Sequence, residues 1–213
     1  MKILFLSSSS DWHIDLWTNY FTKTHHVFLF SDKEDYLIDE DYQGVTVVQS
    51  NGYFGAMLNL IKSSSHKFFQ LNKLFSVKYF AKKIQQLVKD NGIEVVHAHN
   101  LYFGYLASFL PREIPVIFTP MGSDIILHAQ NNFLYRHMAN KAFSRANIVT
   151  GDSKLVQSQG TKWALGGNII SLFKMVLIQI FFIRAIIELK KNMEFLTTKF
   201  FFLAPEPLRL ITI

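Results

Sequence analysis

Ile93-Glu94-Val95-Val96-His97-Ala98-His99-Asn100 and, after a short amphipathic segment, Val116-Ile117-Phe118-Thr119-Pro120-Met121-Gly122-Ser123-Asp124 decide how this chain folds. Each is a β-branched apolar run that closes in a polar cluster. Apolar runs of this length, bounded by turn formers, suit strands covered on both faces, as in parallel sheets. Open parallel sheets bind ligands at the carboxyl ends of their strands. The residues that follow the two runs are therefore the first candidates for a binding site.

The flanking sequence repeats the alternation of strand and helix. Lys2–Leu6 reads as a buried strand, and Asp11 as the N-cap of a helix that turns Trp12, Leu16, Tyr20 and Phe21 inward. His26–Phe30 and Val45–Val48 read as short strands. A long helix over Lys67–Asp90 places Phe68, Leu71, Phe75, Tyr79, Ile84 and Leu87 at helical spacing and ends at Gly92. A helix over Tyr102–Leu110 stops at Pro111, a helix covers Phe133–Phe143, Asn147–Thr150 is a strand, and a further helix starts at Ser153. This order predicts βαβ units and an α/β fold with a doubly wound, parallel, Rossmann-like sheet.

Composition narrows the chemistry. The 213 residues suffice to bury a core, and the absence of cysteine excludes disulfides and thiolate metal sites and fits a reducing compartment. The net charge of +6 and pI near 9.4 suit an anionic ligand or surface, or simply a solvated basic face. Met1–Leu6 is an apolar run too short for a secretory signal, and Ser7-Ser8-Ser9-Ser10 stands where a dinucleotide-binding strand would carry G-x-G-x-x-G. Neither a P-loop nor a G-x-S-x-G elbow occurs. His97 and His99 point to one side of a strand, as metal ligands must, but no third ligand stands at a recognisable spacing, so no metal is expected.

These pieces, in this order, resemble the amino-terminal domain of a family 4 glycosyltransferase, one half of a GT-B architecture of two Rossmann-like domains. The resemblance covers about Met1–Gly167. It is carried by Lys2-Ile3-Leu4-Phe5-Leu6, by His13 and Trp17 in the first helix, by Val95-Val96-His97-Ala98-His99, by Thr119-Pro120-Met121-Gly122-Ser123-Asp124-Ile125, and by Ala146-Asn147-Ile148-Val149-Thr150-Gly151-Asp152-Ser153. It implies transfer of a sugar, with retained configuration and without metal or cofactor, from a nucleotide-sugar donor to a glycan or lipid-linked acceptor. The donor would be bound mainly by a second domain. It further implies a cytoplasmic setting with peripheral contact at the inner face of a membrane, and no nucleic-acid partner. On the matching positions His13, Trp17, His97, His99, Asn100, Gly122, Ser123, Asp124 and Ser153 would line the acceptor side, with no catalytic residue assigned. Many relatives carry His where Met121 stands, and a thioether does no acid–base work. Without the resemblance, Gly122-Ser123-Asp124 reads equally as a helix-capping turn, His97 and His99 as structural, Trp17 as core and Lys82-Lys83 as solvated surface.

Beyond Gly167 the composition breaks. All ten glycines lie at or before that residue, and the last 45 residues contain neither Gly nor Asp while 23 of them are Ile, Leu or Phe. An α/β domain needs such residues for turns and caps. Residues 1–167 thus read as the acceptor-side domain and 168–213 as an apolar tail. One reading makes Ile169–Ile187 a membrane anchor of a non-catalytic α/β binding protein, since about 20 apolar residues span a bilayer. The preferred reading is a change of frame. With one choice of codons, Phe173–Phe182 read from the third base of its first codon yields Gln-Asn-Gly-Val-Asp-Thr-Asn-Phe, close to a Pro-Asn-Gly-Val-Asp segment expected from the resemblance. The Gly is independent of codon choice, because the Met175 codon ends in G and the Val176 codon begins GT.

Overall fold

Among the described residues of the computed structural model, 1–8, 12–31, 44–49, 66–151, 155–156, 158–159 and 169–172, the strands β1 (Lys2–Leu6), β2 (His26–Ser31), β3 (Val45–Gln49), β4 (Val95–His99), β5 (Val116–Thr119), β6 (Ile148–Gly151) and β7 (Ile169–Leu172) lie in the order β3-β2-β1-β4-β5-β6-β7. Each pair whose register is resolved, β1 with β2, β2 with β3, β5 with β6 and β6 with β7, is parallel. The expected doubly wound α/β sheet is therefore present. Two compact units divide it, one comprising Met1–Val96 with Phe109–Pro111, the other His97–Ser108 with the described residues from Arg112 on.

In the first unit β1 (Lys2–Leu6) pairs with β2 (His26–Ser31), and β2 with β3 (Val45–Gln49). Ile3, Leu4, Phe5 and Leu6 are wholly buried, as both-face coverage demands. The turn of α1 (Trp12–Phe21) differs from its sequence pattern: Ile14, Thr18 and Phe21 are inside and Leu16 is 54% exposed. Phe21 meets Phe5 at 5.9 Å between ring centres, and this contact fixes the helix rotation. Thr18 tolerates burial because its hydroxyl donates to the Ile14 carbonyl one turn back, at 3.0 Å.

In the long helix α2 (His66–Asn91) Ile84 is buried as expected and Tyr79 is not, while the side chains of Phe68, Leu71 and Phe75 lie outside the described residues. Val77, Phe80, Ala81, Ile84 and Val88 are buried, while Tyr79 is exposed. The Phe80 ring packs edge-on against Phe30 of β2 at 6.0 Å, which turns the neighbouring Tyr79 outward. A Schellman motif ends α2, with Gly92 N–H donating to Lys89 O and Ile93 N–H to Val88 O. Gly92 takes φ of +61°, a left-handed conformation that costs glycine little.

The second unit holds the end of β4 (Val95–His99), α3 (Asn100–Ala107), β5 (Val116–Thr119), α4 (Phe133–Arg145), β6 (Ile148–Gly151) and β7 (Ile169–Leu172). Between β5 and α4 the chain makes a π-helical turn, Asp124–His128, followed by a single α-turn, Ala129–Asn131. Sequence periodicity does not announce it. Asn132 caps α4 by accepting from Leu134 N–H at 2.9 Å. Arg145 is 6% exposed and spends its guanidinium on Ile114 O (2.6 Å) and Asn147 Oδ1 (3.2 Å). Burial, with Arg112 nearby, lowers its pKa to about 10, and Glu113 opposes the shift. Asn147 Oδ1 also accepts from Val116 N–H, which sets the start of β5 beside β6.

β7 pairs with β6 from Ile148↔Ile169 to Gly151↔Leu172, so the first four residues of the apolar run form a strand. The rest of that run lies outside the described residues. Among the described residues no helix is long and apolar enough to cross a membrane.

Gly104 lets α3 lie directly on β5. A Cβ there would stand 2.4 Å from Cε2 of Phe118, whose ring is itself held edge-on to Phe143 at 5.2 Å. Gly104→Ala is therefore expected to destabilise the fold by about 1–3 kcal/mol through overpacking, despite the better helix propensity of alanine. Urea unfolding measures this, and an unchanged midpoint would contradict the close approach.

Candidate functional site

The polar residues that end β4, β5 and β6 are drawn together by hydrogen bonds across the second unit. His97 Nε2 lies 2.7 Å from Thr119 Oγ1, and Thr119 Oγ1 lies 2.5 Å from Thr150 Oγ1. The three side chains come from successive strands and cross the sheet as one row. Thr119 and Thr150 were not among the sequence candidates. Their signal was there, since each is a hydroxyl-bearing β-branched residue closing an apolar strand, but a threonine suits a strand without any further role.

Both imidazoles are buried, His97 completely and His99 to within 1%. Their ring centres are 4.2 Å apart. Burial first, and the neighbouring His99 second, hold the His97 pKa well below the ordinary imidazole value. His97 is thus neutral at physiological pH, with one ring nitrogen donating and the other accepting. Neither ring is open to solvent, so His97 and His99 form the floor of the strand ends.

Asn100 follows with φ of +62°, a left-handed conformation that asparagine tolerates. Its Oδ1 accepts from Tyr102 N–H (3.1 Å) and Phe103 N–H (3.3 Å). The remaining first-turn donor, Leu101 N–H, goes to Asp124 Oδ2 at 2.8 Å, and the same oxygen accepts from Met121 N–H at 3.2 Å. Asn100 and Asp124, far apart in sequence, therefore cap α3 jointly. This end of the helix is occupied by the protein's own oxygens.

Of the loop after β5, Gly122 is half-buried against Val156 and Ile126, and Ser123 is exposed. The Ser123 hydroxyl is the solvent-facing polar group of the Gly122-Ser123-Asp124 triplet. Gly151 also approaches Val156 so closely that a Cβ would stand 2.9 Å from Cγ1. Val156 thus packs against two of the glycines that end the strands. In the first unit, His13 lies on α1, and Trp17 stacks parallel to Phe21 at 6.2 Å, half-buried. Ser153 lies outside the described residues. Among the described residues no group of three His, Cys, Asp or Glu side chains is placed to hold a metal ion.

A parallel α/β sheet whose polar side chains gather at the carboxyl ends of its strands defines the Rossmann-like class of ligand-binding domains. Comparison with known proteins makes the class specific. Residues 2–153 match the family model described as glycosyl transferase 4-like, and the chain belongs to that family. No curated protein matches the chain. Among solved structures, a sucrose-phosphate synthase from Thermosynechococcus elongatus superposes with a TM-score of 0.62 at 10% identity, over 89% of this chain and 99% of that one. Anabaena HepE, in complex with UDP and glucose, aligns at a TM-score of 0.49 and 15% identity, over 81% of this chain and 44% of that chain. At these identities the first likeness shows the fold alone, and the second carries no argument.

The Asp124 carboxyl has its pKa raised by burial, against the pull of the Leu101 and Met121 N–H groups and of His128. A raised carboxyl pKa gives stability that is present below the ordinary carboxylate value and lost as pH rises through the folded value. His97 works the other way: its lowered pKa gives stability present above the ordinary imidazole value and lost as pH falls. Asp124→Asn keeps one acceptor oxygen and is expected to gain on the native chain as pH rises through the carboxylate range. Asp124→Ala leaves two backbone donors unanswered and should cost about 1–3 kcal/mol at every pH. Urea unfolding as a function of pH checks both, and parallel curves for Asp124→Asn and the native chain would refute the buried carboxyl.

Proposed function

We propose that this glycosyltransferase 4-like domain is the acceptor-side, amino-terminal half of an enzyme that moves a sugar, with retention, from a nucleotide-sugar donor to a glycan or lipid-linked acceptor. The observation that carries the reading is the family match over residues 2–153, which contains the row of polar side chains at the ends of β4, β5 and β6. In this reading His97, His99, Asn100 and Asp124 are positioning residues. They fix the strand ends and the start of α3 so that Gly122 and Ser123 face the acceptor and the reacting sugar. His13 and Trp17 of the first unit, and Ser153, are carried from the family resemblance as further acceptor-side candidates. A lipid-linked acceptor would bring the protein to the inner face of a membrane as a peripheral protein. The donor, a substrate and not a resident cofactor, is left to a second domain.

The tail fits a gene whose frame changes within this region. β7 pairs with β6 as far as Leu172, and the forced glycine of the alternative frame falls at Met175-Val176. The change is proposed to lie near codons 165–173. Residues translated after it have undergone no selection for turns or polar faces, which accounts for a stretch without Gly or Asp.

The purified chain, incubated with labelled nucleotide sugars and glycan or polyprenyl-phosphate acceptors, is expected to transfer nothing; donor-dependent product from this chain alone would overturn the half-enzyme reading. High-accuracy resequencing across codons 155–213 and beyond is expected to reveal a gained or lost base near codons 165–173. An unbroken frame there would remove the frame change and leave the tail as native sequence.

A further inference from the structure

Two helices of the second unit, α3 and α4, pack side by side and run the same way, since α3 starts where β4 ends and α4 stops where β6 begins. The face they leave uncovered is aromatic. Tyr102 and Tyr105, three residues apart on α3, are half-buried, and Phe133 and His137, four apart on α4, are exposed. Residues at these spacings share one side of a helix. The rings of Tyr105 and His137 meet edge-on at 6.0 Å, which joins the two sides into one surface. Tyr102 lies a turn from Tyr105, and Phe133 a turn from His137, both toward the starts of their helices.

Phe133 is 83% exposed, the most exposed large hydrophobic side chain among the described residues. The rings around it are held in place: Tyr102 is also edge-on to Phe103, at 5.4 Å. Neither helix carries a carboxylate. Arg136 directs its guanidinium to the carbonyls of Gln130 (2.7 Å) and Ala129 (3.5 Å), and Lys141 stands a further turn beyond His137. The surface is thus a set of rings tipped with phenol hydroxyls and imidazole nitrogens.

We propose that Tyr102, Tyr105, Phe133 and His137 form a stacking surface for a glycan chain, set on the outer face of α3 and α4 and not among the strand ends, where it takes acceptor units away from the reacting one. A pyranose ring presents polarised C–H groups on its face and hydroxyls at its rim. The negative face of an aromatic ring attracts the first, and phenol and imidazole atoms hydrogen-bond the second. One helical turn, about 5.4 Å, is close to the length of one pyranose unit, so two rungs of rings suit consecutive units of a chain. A protein partner is a poorer match, because a stable interface draws on roughly 20–30 residues a side. A nucleic acid is poorer too, since its phosphates need cations beside the stacked rings, and Arg136 is directed inward. The inference deepens the glycan acceptor of the proposed function and rests on that reading for the choice of ligand. Oligosaccharide binding requires no sugar transfer, so failure here leaves the transferase reading standing.

The test is calorimetric titration of the full 213-residue chain with hexasaccharides of glucose, mannose, galactose and N-acetylglucosamine, in α and β linkage, and with the matching disaccharides. Binding to at least one hexasaccharide is expected, insensitive to salt and weaker for its disaccharide. Phe133→Ala should weaken that binding about tenfold, and Phe133→Trp should keep it. Phe133 is exposed, so an unchanged circular-dichroism melt is expected for both variants and confirms that they fold. His137→Ala should weaken binding as well. Binding to none of the hexasaccharides would overturn the proposal, as would a Phe133→Ala chain that binds like the native one. Tighter, salt-sensitive binding to single-stranded DNA would overturn it in favour of a nucleic acid. Dimerisation in sedimentation that Phe133→Ala abolishes would overturn it in favour of a second copy of this chain.

Discussion

One carboxylate oxygen, Asp124 Oδ2, accepts backbone N–H groups from two different connections, Leu101 at the start of α3 and Met121 after β5. Desolvating that carboxyl is unfavourable, as its raised pKa records, and the two N–H groups offset the cost. The ends of β4 and β5 are tied through it. With Asn100 Oδ1 taking the next two donors of α3, three first-turn N–H groups are answered by the protein's own oxygens.

A second constraint runs across the strands. The row His97, Thr119, Thr150 spans β4, β5 and β6 and brings polar atoms into a region with almost no solvent access. Buried polar groups are stable only when hydrogen-bonded, so the row fixes side-chain orientation at the strand ends. Close packing does the rest: Gly104 admits Phe118, and Gly151 admits Val156. The outcome is a closely packed floor, with the solvent-facing Ser123 and the half-buried Gly122 above it. A closely packed floor under a short reachable loop is what substrate positioning requires.

The first unit follows a different logic. Its helices are oriented by aromatic contacts, Phe21 on Phe5 and Phe80 on Phe30, and the charge they cannot bury is displayed outward. On α2 the exposed Lys78, Lys82 and Lys89 give this face an electrostatic character that the mean charge of the chain does not describe.

The amino-acid sequence by itself determined the α/β class, six of the seven strands and the family. Runs such as Ile3–Leu6 and Val116–Phe118 are apolar because they are covered on both faces, and that requirement is local and therefore readable. It also singled out His97, His99, Asn100 and Asp124, but not what they do. Tertiary structure decided that His97 is held by Thr119 and that the Asp124 carboxyl answers the Leu101 and Met121 N–H groups, because these partners lie on other strands and connections. It likewise decided which way α1 and α2 turn, leaving Leu16 and Tyr79 outside: helical spacing offers several apolar faces, and only the ring packed beneath selects among them. The π-turn at Asp124–His128 and the strand β7 were hidden for the same reason. The first has no periodicity of its own, and the second becomes a strand only because β6 stands beside it to take its hydrogen bonds.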